Sequence, residues 1–162
     1  MKYRSVLTGL GKILAFSATF YLFPVAVSLI YKEYAALPGF LTACGASALL
    51  GGVMLFFSRG ARKIRHREAL VIVGLCWLLI SLFGALPAVI GGYIPSFADS
   101  FFETASGFTT TGATILTDFD LPKSIHFWRA FTHWLGGMGI LVFMLAVLPT
   151  RGGDGFQLTK FE

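Results

Sequence analysis

The residues best suited to chemistry lie between Ser106 and Leu116, in the run SGFTTTGATIL. Thr109, Thr110, Thr111 and Thr114 bring hydroxyls, Gly112 brings conformational freedom, and the run is flanked by long apolar segments. β-branched residues and a glycine make it a poor helix. Irregular backbone between apolar spans survives at membrane depth only if it is buried in protein or lines a wet cavity. The expected chemistry is coordination of a cation by main-chain oxygen. Thr110, Thr111, Gly112 and Ala113 would supply the carbonyls, with the cation at Thr110 and Thr111. Gly112 would take a conformation closed to other residues.

Glu103 stands seven residues before Thr110, within an apolar segment. A carboxylate there needs hydrogen-bond partners. It is expected to bond to the back of the loop, supporting the loop together with Thr114. Asp99, Glu103, Asp118 and Asp120 are half of the eight acidic residues, gathered in one segment. Acidic groups around a mouth raise the local cation concentration. His126 and His133 are seven apart on one helical face, but no carboxylate or thiol accompanies them, so interfacial hydrogen bonding is expected rather than a metal site. Cys44 and Cys76 fall in apolar spans, where no disulfide framework is expected. No nucleophile–base pair or phosphate-cradling glycine loop is present, and no enzymatic activity is expected.

The elements that must position this loop are membrane helices. The 162-residue chain is 56% hydrophobic and only 13% charged, with mean hydropathy +0.75. That is too apolar for a soluble domain of this size. The net charge of +5 does not point to nucleic acid, because the basic residues flank apolar spans. Spans are expected at 13–31, kinked by Pro24, at about 38–57 with Pro38 in the first turn, at 69–90, and at 125–148. The first two form an antiparallel hairpin through small residues. A short helix from Ser96 to Ser106, capped by Ser96, enters and leaves by the same face as a re-entrant half-helix.

The basic loop from Ser58 to Glu68 carries Arg59, Arg62, Lys63, Arg65 and Arg67, which marks the cytoplasmic side. By parity, both termini are cytoplasmic and the acidic segment is external. The fold expected is an all-α integral membrane protein of four transmembrane helices plus one re-entrant pore helix and its filter loop. It divides into a hairpin with its basic loop (1–68), a pore unit (69–150) and a cytoplasmic linker or tail (151–162). The run Gly136-Gly137-Met138-Gly139 is expected to give close packing or a bend behind the loop.

The stretches FFETASGFTTTGATIL and LPKSIHFWRAFTHWLGGMGILVFMLAVLP resemble the Trk/Ktr/HKT superfamily of potassium transporters. They are most similar to the first pore repeat of the TrkH type, and the tail GGDGFQLTKFE is similar to that family's linker. The resemblance implies a pore built from four helix–loop–helix repeats, with Thr110, Thr111, Gly112 and Ala113 at the filter positions of the first. It implies potassium as the transported ion with no cofactor and a bacterial inner-membrane location. Further pore repeats, a cytosolic nucleotide-binding regulatory subunit and a homodimer are the partners it implies. One repeat supplies one quarter of a filter, so the chain is expected to conduct only with further repeats. The alternative is a truncated, non-conducting protein with a scaffold role. The loop has one glycine where potassium-channel filters carry TVGYG, so weaker constraint on the outer ion sites is expected.

Overall fold

The computed structural model describes residues 3–58, 66–117 and 119–147; side chains at 66, 67, 140 and 142–147 are likewise outside what is described. The basic residues Arg59, Arg62, Lys63 and Arg65, the side chain of Arg67, Asp118 and the tail 151–162 fall outside this description. Helix α1 is Tyr3–Phe20, α2 Leu22–Ile30, α3 Leu37–Phe57, α4 His66–Ile90, α5 Phe97–Phe108 and α6 Lys123–Val147. A 3-10 turn, Tyr34–Ala36, precedes α3. No strand occurs among the described residues.

Among the described residues, three segments are long and apolar enough to cross a membrane: Tyr3–Ile30, Tyr34–Phe57 and Glu68–Ile90. Helix α6, with 25 residues, is about 37 Å long and also exceeds a hydrocarbon core of ~30 Å. Its N-terminal half carries Lys123, His126, Arg129 and His133, which dilute its apolarity. Helix α5, with 12 residues, reaches only about 18 Å. The chain is thus an all-helical membrane protein with one half-length helix between α4 and α6.

The first span breaks at Tyr21, three residues before Pro24. Pro24 has no N–H for the Phe20 carbonyl, and at the break Tyr21 N donates to Ala18 O at 3.3 Å. The break turns Tyr21 inward, where it is buried against Trp128 with ring centroids 4.7 Å apart. Helices α1 and α3 pack closely at Gly11 and Gly51, where a Cβ on Gly11 would lie 2.9 Å from Gly51 O and one on Gly51 2.7 Å from Ala15 N. Small residues permit this approach between helices that lipid does not press together. The core around the half-helix is Tyr21, Phe40, Phe108, Ile125 and Trp128.

Helix α5 begins as its sequence suggests. Ser96 is extended and its hydroxyl accepts from Asp99 N at 3.4 Å. The helix continues to Phe108, two residues past the expected end. Helix α6 is continuous through Gly136, Gly137 and Gly139, and of these Gly136 and Gly139 are the close contacts, against Phe108 and Trp77.

Candidate cation-coordinating loop

Three backbone hydrogen bonds close the end of α5: Thr109 N to Ala105 O, Thr110 N to Gly107 O and Thr111 N to Ser106 O, each 2.9 Å. The last two form the nested pair of a Schellman cap, which requires a left-handed residue between helix and loop. That residue is Thr110, at φ +56°. Glycine normally occupies such a position, and a β-branched residue there is strained. Threonine hydroxyls bind locally around it. Thr109 Oγ1 donates to Ala105 O at 2.7 Å and lies 2.9 Å from Thr111 Oγ1, and Thr110 Oγ1 donates to Thr109 O at 2.7 Å.

Gly112 is also left-handed, at φ +73°, and a Cβ there would meet nothing within 4 Å. The requirement for glycine is conformational rather than a matter of space. Positive φ thus alternates, occurring at Thr110 and Gly112 but not at Thr111 or Ala113. Among the described residues, no hydrogen bond reaches the carbonyls of Thr110, Thr111 or Gly112. Ala113 differs from them, because its carbonyl accepts from Ser106 Oγ at 2.6 Å and is tied back to α5.

Behind the loop, the Glu103 carboxylate is filled by donors. Oε1 accepts from Thr114 Oγ1 at 2.6 Å and Ile115 N at 2.7 Å. Oε2 accepts from Arg129 Nη2 at 2.9 Å and Nε at 3.2 Å. Arg129 Nη2 also reaches Thr114 Oγ1 at 3.2 Å. One buried carboxylate therefore joins α5, the returning segment and α6. Helix α6 also touches α5 directly, since a Cβ on Gly136 would overlap the Phe108 carbonyl and one on Gly107 would overlap Thr132 Oγ1. Ser100 Oγ donates to Ala85 O at 2.8 Å and Trp128 Nε1 to Gly84 O at 3.0 Å, fixing α5 and α6 to α4.

A residue that no sequence pattern singles out holds the N-terminal end of α6. Glu33, before the 3-10 turn, accepts from Lys123 N at 2.8 Å, Ser124 N at 2.9 Å and Ser124 Oγ at 2.7 Å. It caps the helix with a carboxylate at the positive end of the dipole. Burial pushes its pKa up, but the hydrogen bonds from Ser124 and Lys123 and the Lys123 charge outweigh this and hold it below the ordinary value. The only local signal was that Lys123-Ser124 opens a helix without an acidic residue in its first turn.

The other candidates are dispersed. His126 Nε2 pairs with Phe119 O and His133 Nδ1 with Arg129 O, both at 2.9 Å. No group of three potential metal-ligating side chains occurs among the described residues. Cys44 and Cys76 are free thiols. Asp99 and Asp120 line a cavity of about 320 Å³ together with Tyr93 and Thr117.

Comparison with known proteins places these features in context. The sequence model of TrkH, described as a cation transport protein, matches residues 38–162. The Trk system potassium uptake protein TrkH of Vibrio parahaemolyticus is 38% identical over all of this chain and 34% of its own length. The TrkG protein of Escherichia coli is 33% identical over 86% of this chain and 29% of its own. The crystal structure of the potassium transporter TrkH from Vibrio parahaemolyticus superimposes with a TM-score of 0.84 at 36% identity, covering 96% of this chain and 34% of that one. The chain thus spans about a third of the length of the curated relatives it matches.

Proposed function

The chain belongs to the TrkH family of cation transport proteins, and from that premise we propose that it forms one wall of a potassium-conducting pore. The observation that carries this reading is the backbone of Thr110–Gly112. Alternating positive φ and three carbonyls that no hydrogen bond among the described residues reaches suit a segment whose oxygens replace the water around a dehydrated cation. Thr110 and Thr111 are the positions proposed to carry potassium. Gly112 allows the chain to turn, and Ala113 is the upper position, held by Ser106.

Glu103, Arg129 and Thr114 act as the filter's support. They hold the strand from behind and leave the opposite face for the ion. Helix α5 points its C-terminal end toward the loop, and its partial negative charge favours a cation there. Asp99 and Asp120 lie on the outer approach and raise the cation concentration at the mouth. Inward movement would follow an inside-negative potential, worth about 2.3 kcal/mol per charge for each 100 mV.

The remaining parts of the reading follow the family. Residues 1–68 are a hairpin scaffold, 69–150 the pore unit and 151–162 a cytoplasmic linker. Both termini face the cytoplasm across a bacterial inner membrane. Further pore repeats complete the filter, the whole protein pairs as a homodimer, and a cytosolic nucleotide-binding subunit regulates it. Rubidium uptake by vesicles carrying the full-length protein, native and Gly112→Ser, tests the filter assignment.

A further inference from the structure

The N-terminal hairpin lies along the pore unit in a defined register. Phe23 meets Phe131 at 5.3 Å between ring centroids, and the Lys123 ammonium stands 4.2 Å from the centre of the Tyr31 ring. Glu33 then bonds Lys123 and Ser124. Residue numbers rise along α2 as they fall along α6, so α2 runs antiparallel to the first half of α6. Glu33 closes this seam. It is the one acidic residue before Glu68, so no other carboxylate of the hairpin can take its place.

The first turn of α6 depends on that carboxylate. The first four N–H groups of a helix have no partner within it. Here Ile125 N and His126 N donate to Pro122 O, both at 3.0 Å, whereas Lys123 N and Ser124 N donate to Glu33, some 90 residues away. That turn and the next hold the returning segment at two places. His126 Nε2 pairs with Phe119 O at 2.9 Å, and Arg129 Nη2 reaches Glu103 Oε2 at 2.9 Å and Thr114 Oγ1 at 3.2 Å. The Arg129 guanidinium also faces the Phe119 ring, 5.7 Å from its centre. From Ser124 to Arg129 is about 7.5 Å along the helix. Contacts thus lead without a gap from Glu33, through α6, to the residues behind Thr110–Ala113.

We propose that Glu33 is a positioning residue for cation binding: it fixes the first turn of α6 and thereby, through His126 and Arg129, the segment that carries the coordinating carbonyls. This rests on the reading of Thr110–Gly112 as the ion-coordinating wall. The hairpin is then a splint for the loop as well as a membrane anchor. Positioning and simple attraction of cations by a negative charge make different demands. A carboxylate that bonds two successive N–H groups from a distance needs both its charge and its length. Attraction needs the charge alone and is screened by salt. Glu33→Gln keeps the length and loses the charge, whereas Glu33→Asp keeps the charge and is one methylene shorter.

Rubidium uptake by vesicles holding the full-length protein, native, Glu33→Gln or Glu33→Asp, tests the proposal. Both variants should raise KM for rubidium by about threefold or more, because apparent affinity falls with the fraction of protein whose loop is held competent. The maximal rate should change little, and the rise should persist in concentrated choline chloride. Hydrogen exchange of the peptide 116–126 should quicken in both variants. A lowered melting temperature with native KM would mean a cap that only stabilises, and would overturn the proposal. Native KM in Glu33→Asp beside a raised KM in Glu33→Gln would overturn it too, since charge alone would then suffice. If neither Glu33 variant folds, Ser124→Ala decides, because it removes one of the three bonds and no charge. A raised KM there supports the proposal and a native KM overturns it. Gly112→Ser, measured alongside, keeps the two readings apart. Native flux and selectivity in Gly112→Ser would remove the loop assignment itself. Altered flux there, with native KM in both Glu33 variants, would remove the role of Glu33 alone.

Discussion

Glu103 and Arg129 meet at 2.9 Å between Oε2 and Nη2, with the glutamate side chain only 5% exposed. The other carboxylate oxygen holds Thr114 and Ile115. Glu103→Gln leaves an acceptor for the strand but removes the charge facing Arg129. Breaking a buried pair from one side costs about 3–5 kcal/mol, here toward the lower end because Arg129 is 22% exposed. Thr114→Val removes one hydroxyl and should cost about 1–3 kcal/mol. Thermal unfolding in detergent should rank Glu103→Gln below Thr114→Val. The reverse order would mean that the strand bond, not the ion pair, holds the loop.

Gly136 and Gly137 are neighbours with opposite expectations. A Cβ at Gly136 would overlap the Phe108 carbonyl, a backbone atom that cannot swing aside, whereas one at Gly137 finds only Thr110 Cγ2 at 4.0 Å. Gly136→Ala should destabilise the protein by several kcal/mol or force α5 away from α6. Gly137→Ala should be neutral or slightly stabilising, because it sits in a helix interior. Paired melting curves check this, and similar losses in both variants would contradict the packing described.

The cap by Glu33 predicts a pH dependence. Its folded pKa lies below the unfolded value because Ser124 and Lys123 bond the charged form. The stabilisation is therefore complete above the ordinary glutamate pKa of about 4.3 and is lost as pH falls through the lower folded value. Native protein should melt above Glu33→Gln at pH 7, by an amount typical of a helix cap, about 1 kcal/mol. The gap should close below about pH 4. A gap that persists in acid would show that charge is not what the cap uses.

Gly112→Ala separates conformation from space. Nothing lies within 4 Å of the added methyl, so the cost is that of a left-handed alanine, about 1–2 kcal/mol. Unfolding measurements should show this modest loss with the fold retained. A loss of 4 kcal/mol or more would point to a steric clash that the geometry excludes.

How much of this could be read from the chain differs from element to element. The apolar spans were visible because lipid imposes length and composition on them directly, and Ser96 announced α5 through a local cap. Gly112 was legible because positive φ selects glycine. Thr110 was not, since its left-handed conformation opposes the preference of a β-branched residue and is imposed by the cap of α5. Glu33 was hidden for another reason: it lies 90 residues from Lys123, and no local pattern links them. The break at Tyr21 was foreseen from Pro24 but not placed, because the lost hydrogen bond acts one turn upstream.

Rubidium uptake by vesicles holding full-length Gly112→Ser protein tests the central claim most directly, with the same variant's melting temperature as a check on folding. The account predicts a folded variant in which rubidium uptake falls at least tenfold, or in which preference over sodium is lost, because the carbonyls of Thr110 to Gly112 no longer present the same geometry. A folded Gly112→Ser protein with native rubidium flux and native discrimination against sodium would contradict the assignment of this loop as the ion-coordinating wall.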